Sequence, residues 1–195
     1  MFIVFEGIDG SGKSAQARLL ANFFESRGVP FVLTREPSDG IVGRKLRSLV
    51  SRPEREEEAR LFLEDRIDHV KAIISPAMNA GKHVICDRYY YSSAAYQGAR
   101  GLDPVEILNK NRSVVPEPDV VFLLVVCVET ALKRISQSRS GTFSVFEKQK
   151  DLEAVANIYC SFQDPVIIRI DGERSMVQIS AEVVSFLELK GIDVR

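Results

Sequence analysis

The sequence predicts an α/β fold, a three-layer sandwich with a central parallel sheet of about five strands. Two observations predict it. Short apolar, β-branched runs recur at 2–6, 30–35, 82–87, 120–126 and 166–170, and longer helical patterns fill most of the intervals. Each run is apolar almost throughout instead of alternating, as strands covered on both faces are, and helical crossovers make neighbouring strands parallel. Ligands in such sheets sit beyond the carboxyl ends of the strands, so the residues after each run bear on function.

The first run, Met1-Phe2-Ile3-Val4-Phe5, leads into Gly7-Ile8-Asp9-Gly10-Ser11-Gly12-Lys13-Ser14 and then a helical pattern over 13–27. That is G-x-x-x-x-G-K-[ST] between a strand and a helix, the context that gives the motif its physical meaning. Glycines let the backbone curl until several N–H groups face a phosphate chain, and the helix adds the positive end of its dipole. Lys13 supplies a cation for the β- and γ-phosphates, from a loop expected to face solvent. The Ser14 hydroxyl completes a Mg²⁺ shell. The motif predicts a nucleoside triphosphate site in a fold of the phosphate-loop NTPase or kinase type.

The second run ends in Thr34-Arg35-Glu36-Pro37, where proline stops the strand and leaves an arginine and a glutamate at its mouth. Helical patterns follow at 54–80, 104–112, 128–136, 147–162 and 174–190. The third run ends in Cys86-Asp87-Arg88, and Asp87 is placed to hold Mg²⁺ directly or through its water shell. Taken singly, each charged strand end reads equally well as a surface ion pair. Three converging on one sheet edge read as a site.

Composition narrows the field. The 195 residues predict one domain, 1–195, with a short polar lid near 137–146. Lys and Arg number 26 against 27 Asp and Glu, which gives no basic field for nucleic acid. Cys86, Cys127 and Cys160 are odd in number and widely spaced, and read as reduced core residues of a cytoplasmic protein. His69 and His83 are too few and too far apart for a metal site. Neither a signal peptide nor a run of membrane-spanning length is apparent.

Between Asp87 and Gln97 lie four of the five tyrosines, Tyr89, Tyr90, Tyr91 and Tyr96, beside Ser93. A buried phenol needs a partner, so tyrosines among hydroxyls and amides suit a planar, hydrogen-bonding ligand such as a nucleobase and its sugar. The plainer reading is an amphipathic helix with an aromatic face.

Four motifs in order, spanning most of the chain, resemble the thymidylate kinase family, which phosphorylates dTMP to dTDP. They are Phe5-Glu6-Gly7 through Ser14, Thr34-Arg35-Glu36-Pro37, Leu61-Phe62 through Asp65-Arg66 to His69, and Asp87-Arg88-Tyr89 through Tyr96-Gln97. The resemblance implies ATP at Gly7, Ile8, Asp9, Gly10, Ser11, Gly12, Lys13 and Ser14, with Mg²⁺ at Ser14 and Asp87. It implies dTMP at Asp9, Arg35, Glu36, Phe62, Arg66, Arg88, Ser93, Tyr96 and Gln97. Phe62 matches the aromatic that stacks on thymine, and Arg66, four residues on and so on the same helix face, a base-contacting arginine. Arg35 and Arg88 match the cations on the acceptor phosphate, Ser93 and Gln97 the contacts to the pyrimidine edge, and Tyr96 the ring under the deoxyribose. Lys13, Asp9 and Arg88 are the catalytic candidates. Arg139, in the lid, is the further cation for the transferring group, with Arg134 as second choice. The loop at 171–175 resembles the border of the adenine site. A homodimer through the 54–80 helix is also implied, and a role in supplying dTTP synthesis.

The chain departs from the family in places. Ser38-Asp39-Gly40 follows R-E-P where glycines are frequent, Glu64 replaces a small residue, Gly10 stands where some members carry arginine, and Ser93 is smaller than the usual Asn or Thr. Three alternatives compete. One is a kinase for another nucleoside monophosphate or a deoxynucleoside. The second is a GTP-dependent switch or an ATPase, but Asn109-Lys110-Asn111-Arg112 lacks the aspartate of N-K-x-D. The third is a non-enzymatic nucleotide-binding module, which Lys13, Ser14 and the strand-end acids disfavour.

Overall fold

The computed structural model describes residues 1–138 and 145–191. Its sheet contains β1 (Phe2–Glu6), β2 (Phe31–Arg35), β3 (His83–Asp87), β4 (Val120–Val125) and β5 (Ile167–Asp171). The order is β2-β3-β1-β4-β5 and every pairing is parallel. The predicted strands match within a residue or two at each end. Register sets Phe5 beside Asp87, and Arg35 on the far side of Asp87, so the mouths of β1, β2 and β3 adjoin.

β1 is buried along its whole length because each face of the sheet is covered. Phe2 and Val4 face one core with Val84, Val121 and Leu123, while Ile3 and Phe5 face the other with Ile85 and Phe122. The second core is closed by α1 (Lys13–Ser26) and α9 (Met176–Leu189) through Leu20, Phe24, Val183 and Leu187. The first is closed by α5 (Tyr90–Gly98), α6 (Pro104–Arg112), α7 (Val128–Ser138) and α8 (Val145–Ser161). This is the three-layer sandwich that the apolar runs predict. Among the described residues no helix is long and apolar enough to cross a membrane.

The predicted 54–80 helix is three segments end to end: α3 (Arg55–His69), a wide π-helical turn over Val70–Ile74, and α4 (Ser75–Asn79). Pro76 has no N–H to donate, and its ring conflicts with the carbonyl four residues back. The wider turn before it relieves both problems. A further short helix, α2 (Ile41–Ser48), follows β2, and Gly43 is its one buried residue. All three cysteines are free, as expected, but only Cys86 is buried in the core. Cys127, just past β4, and Cys160, on α8, are exposed.

Gly43 faces the turn after β2. A Cβ there would lie 2.1 Å from the Ser38 carbonyl oxygen and 2.7 Å from Asp65 Oδ1. Gly43→Ala should therefore lower stability by about 1–3 kcal/mol, the usual scale of overpacking. Thermal unfolding would record this as a drop of about 2–4 °C per kcal/mol. A wild-type melting temperature would mean that α2 does not sit against this turn.

Candidate active site

β1 ends in the phosphate loop, and Gly12 starts α1 from a left-handed conformation with φ 101°. Gly10 has φ 83°, and a Cβ on it would lie 2.4 Å from the Ala131 carbonyl oxygen of α7. The loop thus packs backbone to backbone against α7, which explains why this chain carries no arginine at position 10. Lys13 corrects the solvent-facing expectation. It is 5% exposed, and its Nζ donates to the Ile8 carbonyl at 2.9 Å. Burial pushes its amine down to about 7, and the charge of Arg88 pushes the same way.

The Ser14 hydroxyl donates to Asp87 Oδ2 across the gap between α1 and β3. Asp87 Oδ1 is buried with no hydrogen-bond partner among the described residues. A hydroxyl beside a carboxylate oxygen with spare acceptor capacity, next to a phosphate-binding loop, fits a hard divalent cation such as Mg²⁺. Above the loop opens a cavity of about 500 Å³ that Lys13, Arg18, Arg88, Arg134 and Asp9 help to line. Four cations against one carboxylate suit a polyanion.

A second cavity, of about 260 Å³, lies between α3 and α5. Phe62, Arg66, Tyr96, Gln97 and Ser93 line it, and Asp9 and Arg88 line both cavities. Arg88 is held where the two meet. Its Nη2 donates to Asp9 Oδ1 at 2.5 Å, its Nη1 to Ser92 Oγ at 3.0 Å, and its guanidinium lies 5.1 Å from the centre of the Tyr96 ring. Its φ of 76° is uncommon for a side-chain-bearing residue and marks a backbone constrained by its surroundings. The Tyr96 hydroxyl in turn accepts from the Asp9 N–H at 2.9 Å.

Deeper in this cleft Arg66 is 1% exposed. Its Nε donates to Glu36 Oε2 at 2.8 Å, its Nη2 to Ser93 Oγ at 3.0 Å, and its Nη1 to Asn111 Oδ1 at 2.6 Å. Glu36 also meets His69 Nδ1 at 3.2 Å, and His69 Nε2 lies 2.6 Å from Thr34 Oγ1. Asp65 fixes the turn above by accepting from the Ser38 N–H and hydroxyl at 2.7 and 2.6 Å.

Two sequence expectations come out differently. Arg35 does not line the cleft: its side chain is 57% exposed and paired with Asp39 at 3.0 Å. Tyr90 and Tyr91 belong to the core, and Tyr89 is equally buried, with only an edge at the cleft wall. Two of these phenols find the partners that a buried hydroxyl needs, Tyr89 at the Pro116 carbonyl and Tyr91 at Asp164. Arg139 lies outside the described residues. Arg134, the second choice, donates to the Gly172 carbonyl at 3.0 Å and reaches the Ser11 carbonyl at 3.5 Å.

Glu6 was legible only as a letter in a motif. Fully buried, it accepts from the Tyr89 and Ser92 N–H groups at 2.8 and 3.1 Å, and from the Ser92 and Tyr159 hydroxyls at 2.6 and 2.8 Å. Burial raises its carboxyl pKa, and these hydrogen bonds oppose the rise. Arg52 and Arg100 both pair with Glu58 at 2.8 Å at the cleft mouth, and they too went unread in the sequence.

Comparison with known proteins places this geometry among relatives. The family model described as thymidylate kinase matches residues 5–183. The thymidylate kinase of Desulfotalea psychrophila is 44% identical over 185 residues, which cover 93% of this chain and 91% of the relative. That of Brachyspira hyodysenteriae is 41% identical, with 95% and 92% covered. A probable thymidylate kinase of Thermococcus onnurineus is 49% identical, with 96% and 97% covered.

The buried Lys13 makes a prediction about stability without nucleotide. Its folded pKa of about 7 lies below the ordinary 10.5, so the unfolded chain binds the extra proton between those values. Stability from this group therefore rises with pH through that window, and the full desolvation penalty is felt below it. Lys13→Met, which keeps the stem and drops the charge, should melt higher than wild type at pH 6. The gap should shrink by pH 9. Equal melting curves at pH 6 would mean that the ammonium is solvated.

Proposed function

Because the chain belongs to the thymidylate kinase family, we propose that it transfers the γ-phosphoryl group of ATP to dTMP, giving ADP and dTDP. The observation that carries this reading is the junction of the two cavities at Asp9 and Arg88. One side is rich in cations and suits a triphosphate. The other offers an aromatic ring, amides and a fixed arginine, and suits a nucleobase with its sugar.

The acceptor is a phosphate already ionised at neutral pH, so no general base is needed. Catalysis is then alignment of two nucleotides and neutralisation of the charge on the moving group. Gly7 through Ser14 wrap the triphosphate, and Lys13 reaches its β- and γ-phosphates. Mg²⁺ held by Ser14, and by Asp87 directly or through water, would neutralise phosphate oxygens. Arg88 meets the acceptor phosphate, and the Asp9 carboxylate holds its guanidinium from the opposite side. Phe62 stacks on thymine, Arg66, Ser93 and Gln97 face its edge, and Tyr96 lies under the deoxyribose. Arg35 must turn away from Asp39 to join the acceptor phosphate. Arg139 belongs to this reading by its place in the sequence, as a cation brought to the transferring group.

Two copies pairing along α3 and the turn after it also belong to this reading. Ile67 and Ile73 are exposed there, at 40% and 42%. Sedimentation should give twice the chain mass of 21.8 kDa, and a monomer at micromolar concentration would exclude the pairing.

The enzymatic test is ADP release from ATP–Mg²⁺ against dTMP, dUMP, dCMP, UMP and the ribo counterpart of dTMP. dTMP should give the highest kcat/KM, and the ribo form should fall behind by roughly tenfold or more, because a 2′-hydroxyl over Tyr96 is left without a partner. Lys13→Ala should lose most turnover, on the scale of roughly 3–4 kcal/mol for an electrostatic clamp. Normal turnover of dTMP by Lys13→Ala would overturn the phosphate-loop assignment.

A further inference from the structure

Asn111, on the last turn of α6, meets the acceptor cleft at Arg66. It is 3% exposed. Its Nδ2 donates to the Ile107 carbonyl of its own helix at 2.8 Å, and its Oδ1 accepts from Arg66 Nη1 at 2.6 Å. This amide has one sensible orientation. A backbone carbonyl only accepts and a guanidinium only donates, so turning the amide over would set acceptor against acceptor and donor against donor.

Arg66 has five N–H groups to place. Nε takes Glu36 Oε2, and Nη2 lies 2.6 Å from the same oxygen while donating to Ser93. One Nη1 hydrogen goes to Asn111, and the other has no acceptor among the described residues. The plane of the guanidinium is therefore held from three sides, by β2's mouth, by α5 and by α6. Its back rests 5.2 Å from the centre of the Tyr89 ring.

We propose that Asn111 is a positioning residue for base selectivity: by fixing Nη1 it makes Arg66 a rigid donor toward the cleft, matched to a keto-pyrimidine and mismatched to an amino-pyrimidine. The proposal rests on the reading of this cleft as the dTMP site. Its chemistry is simple. Thymine presents a carbonyl oxygen at position 4, and cytosine presents an amino group there. An N–H held against that amino group leaves two donors facing each other, and neither can rotate to find an acceptor. A site that places a buried hydrogen-bonding group rigidly discriminates far more strongly than one shaped by apolar contact. If Nη1 were free to rotate, the guanidinium could swing toward other acceptors and the penalty against cytosine would relax.

The experiment is steady-state kinetics with dTMP and dCMP at saturating ATP–Mg²⁺, in wild type, Asn111→Leu and Asn111→Ser. Leucine removes the acceptor. Serine is too short to reach Nη1 but leaves room for a water, so it covers the case in which the leucine variant fails to fold. In both variants the kcat/KM ratio of dTMP to dCMP should fall by roughly tenfold or more, through a higher KM for dTMP and a lower one for dCMP, with the KM for ATP unchanged. An equal loss for both substrates would reduce Asn111 to a packing residue and overturn the proposal, as would an unchanged ratio. Wild type that turns over dCMP as well as dTMP would overturn the base-site reading itself, and that result is read before any variant is made.

Discussion

The carboxylate of Glu6 sits where the phosphate-loop strand ends, and much of the site depends on how it is buried. An ionised carboxylate in a protein interior is tolerated only when hydrogen bonds replace its lost water. Here the replacements come from two elements: the Tyr89 and Ser92 N–H groups at the start of α5 together with the Ser92 hydroxyl, and the Tyr159 hydroxyl of α8. Tyr89, the residue just before α5, provides no side-chain cap, so Glu6 does that work from another strand. A negative group at that position also meets the positive end of the helix dipole. Satisfying one buried charge thereby locks β1 to α5, and Arg88 lies between them with its N–H on the Phe5 carbonyl. The constrained φ of Arg88 follows from being tied at both ends.

The same logic separates two kinds of cation around the cavities. Arg66 is compensated in advance, by the Glu36 carboxylate and two neutral oxygens, so it forms a finished wall that a ligand meets without rearrangement. Lys13 is buried with the Ile8 carbonyl as its hydrogen-bond acceptor and is easier to deprotonate than an ordinary lysine. That is a costly state for the empty protein and a favourable one for binding, since a polyanion arriving there restores the lost solvation. Such preorganised charge is typical of sites that stabilise a transferring group, and it reduces resting stability. Arg88, shared by both cavities, is of an intermediate kind, held by Asp9 but still 20% exposed.

The sheet was legible because burial on both faces forces an unbroken apolar run, a signal written in consecutive letters. The phosphate loop was equally legible, because its glycines and lysine are demanded by backbone geometry and phosphate chemistry within eight residues. Networks that join distant segments were not. Arg66 and Asn111 are separated by 45 residues and Glu6 and Tyr159 by 153, and nothing in either neighbourhood announces the partner. The tyrosine run misled for a related reason. Its phenols looked unsuited to a core because the acceptors that satisfy them, the Pro116 carbonyl and Asp164, lie 27 and 73 residues away. The α2 helix escaped notice because its eight residues make only about two turns, and its half-buried apolar pair, Val42 and Leu46, is too short a period to read.

Close packing at Gly10 decides from which side the loop receives positive charge. The Ala131 carbonyl stands where a side chain at position 10 would begin, so no cation can grow from the loop at that point. One turn further along the same helix, Arg134 reaches back to the loop at the Ser11 carbonyl and to the Gly172 carbonyl beyond β5. Residues three apart on a helix share a face, so the contact that excludes a loop side chain also aims this guanidinium at the loop. Substituting position 10 alone, with arginine or any other side chain, would force α7 outward and carry Arg134 with it. Charge in the loop and charge on α7 are therefore alternatives in this architecture, linked through one backbone contact.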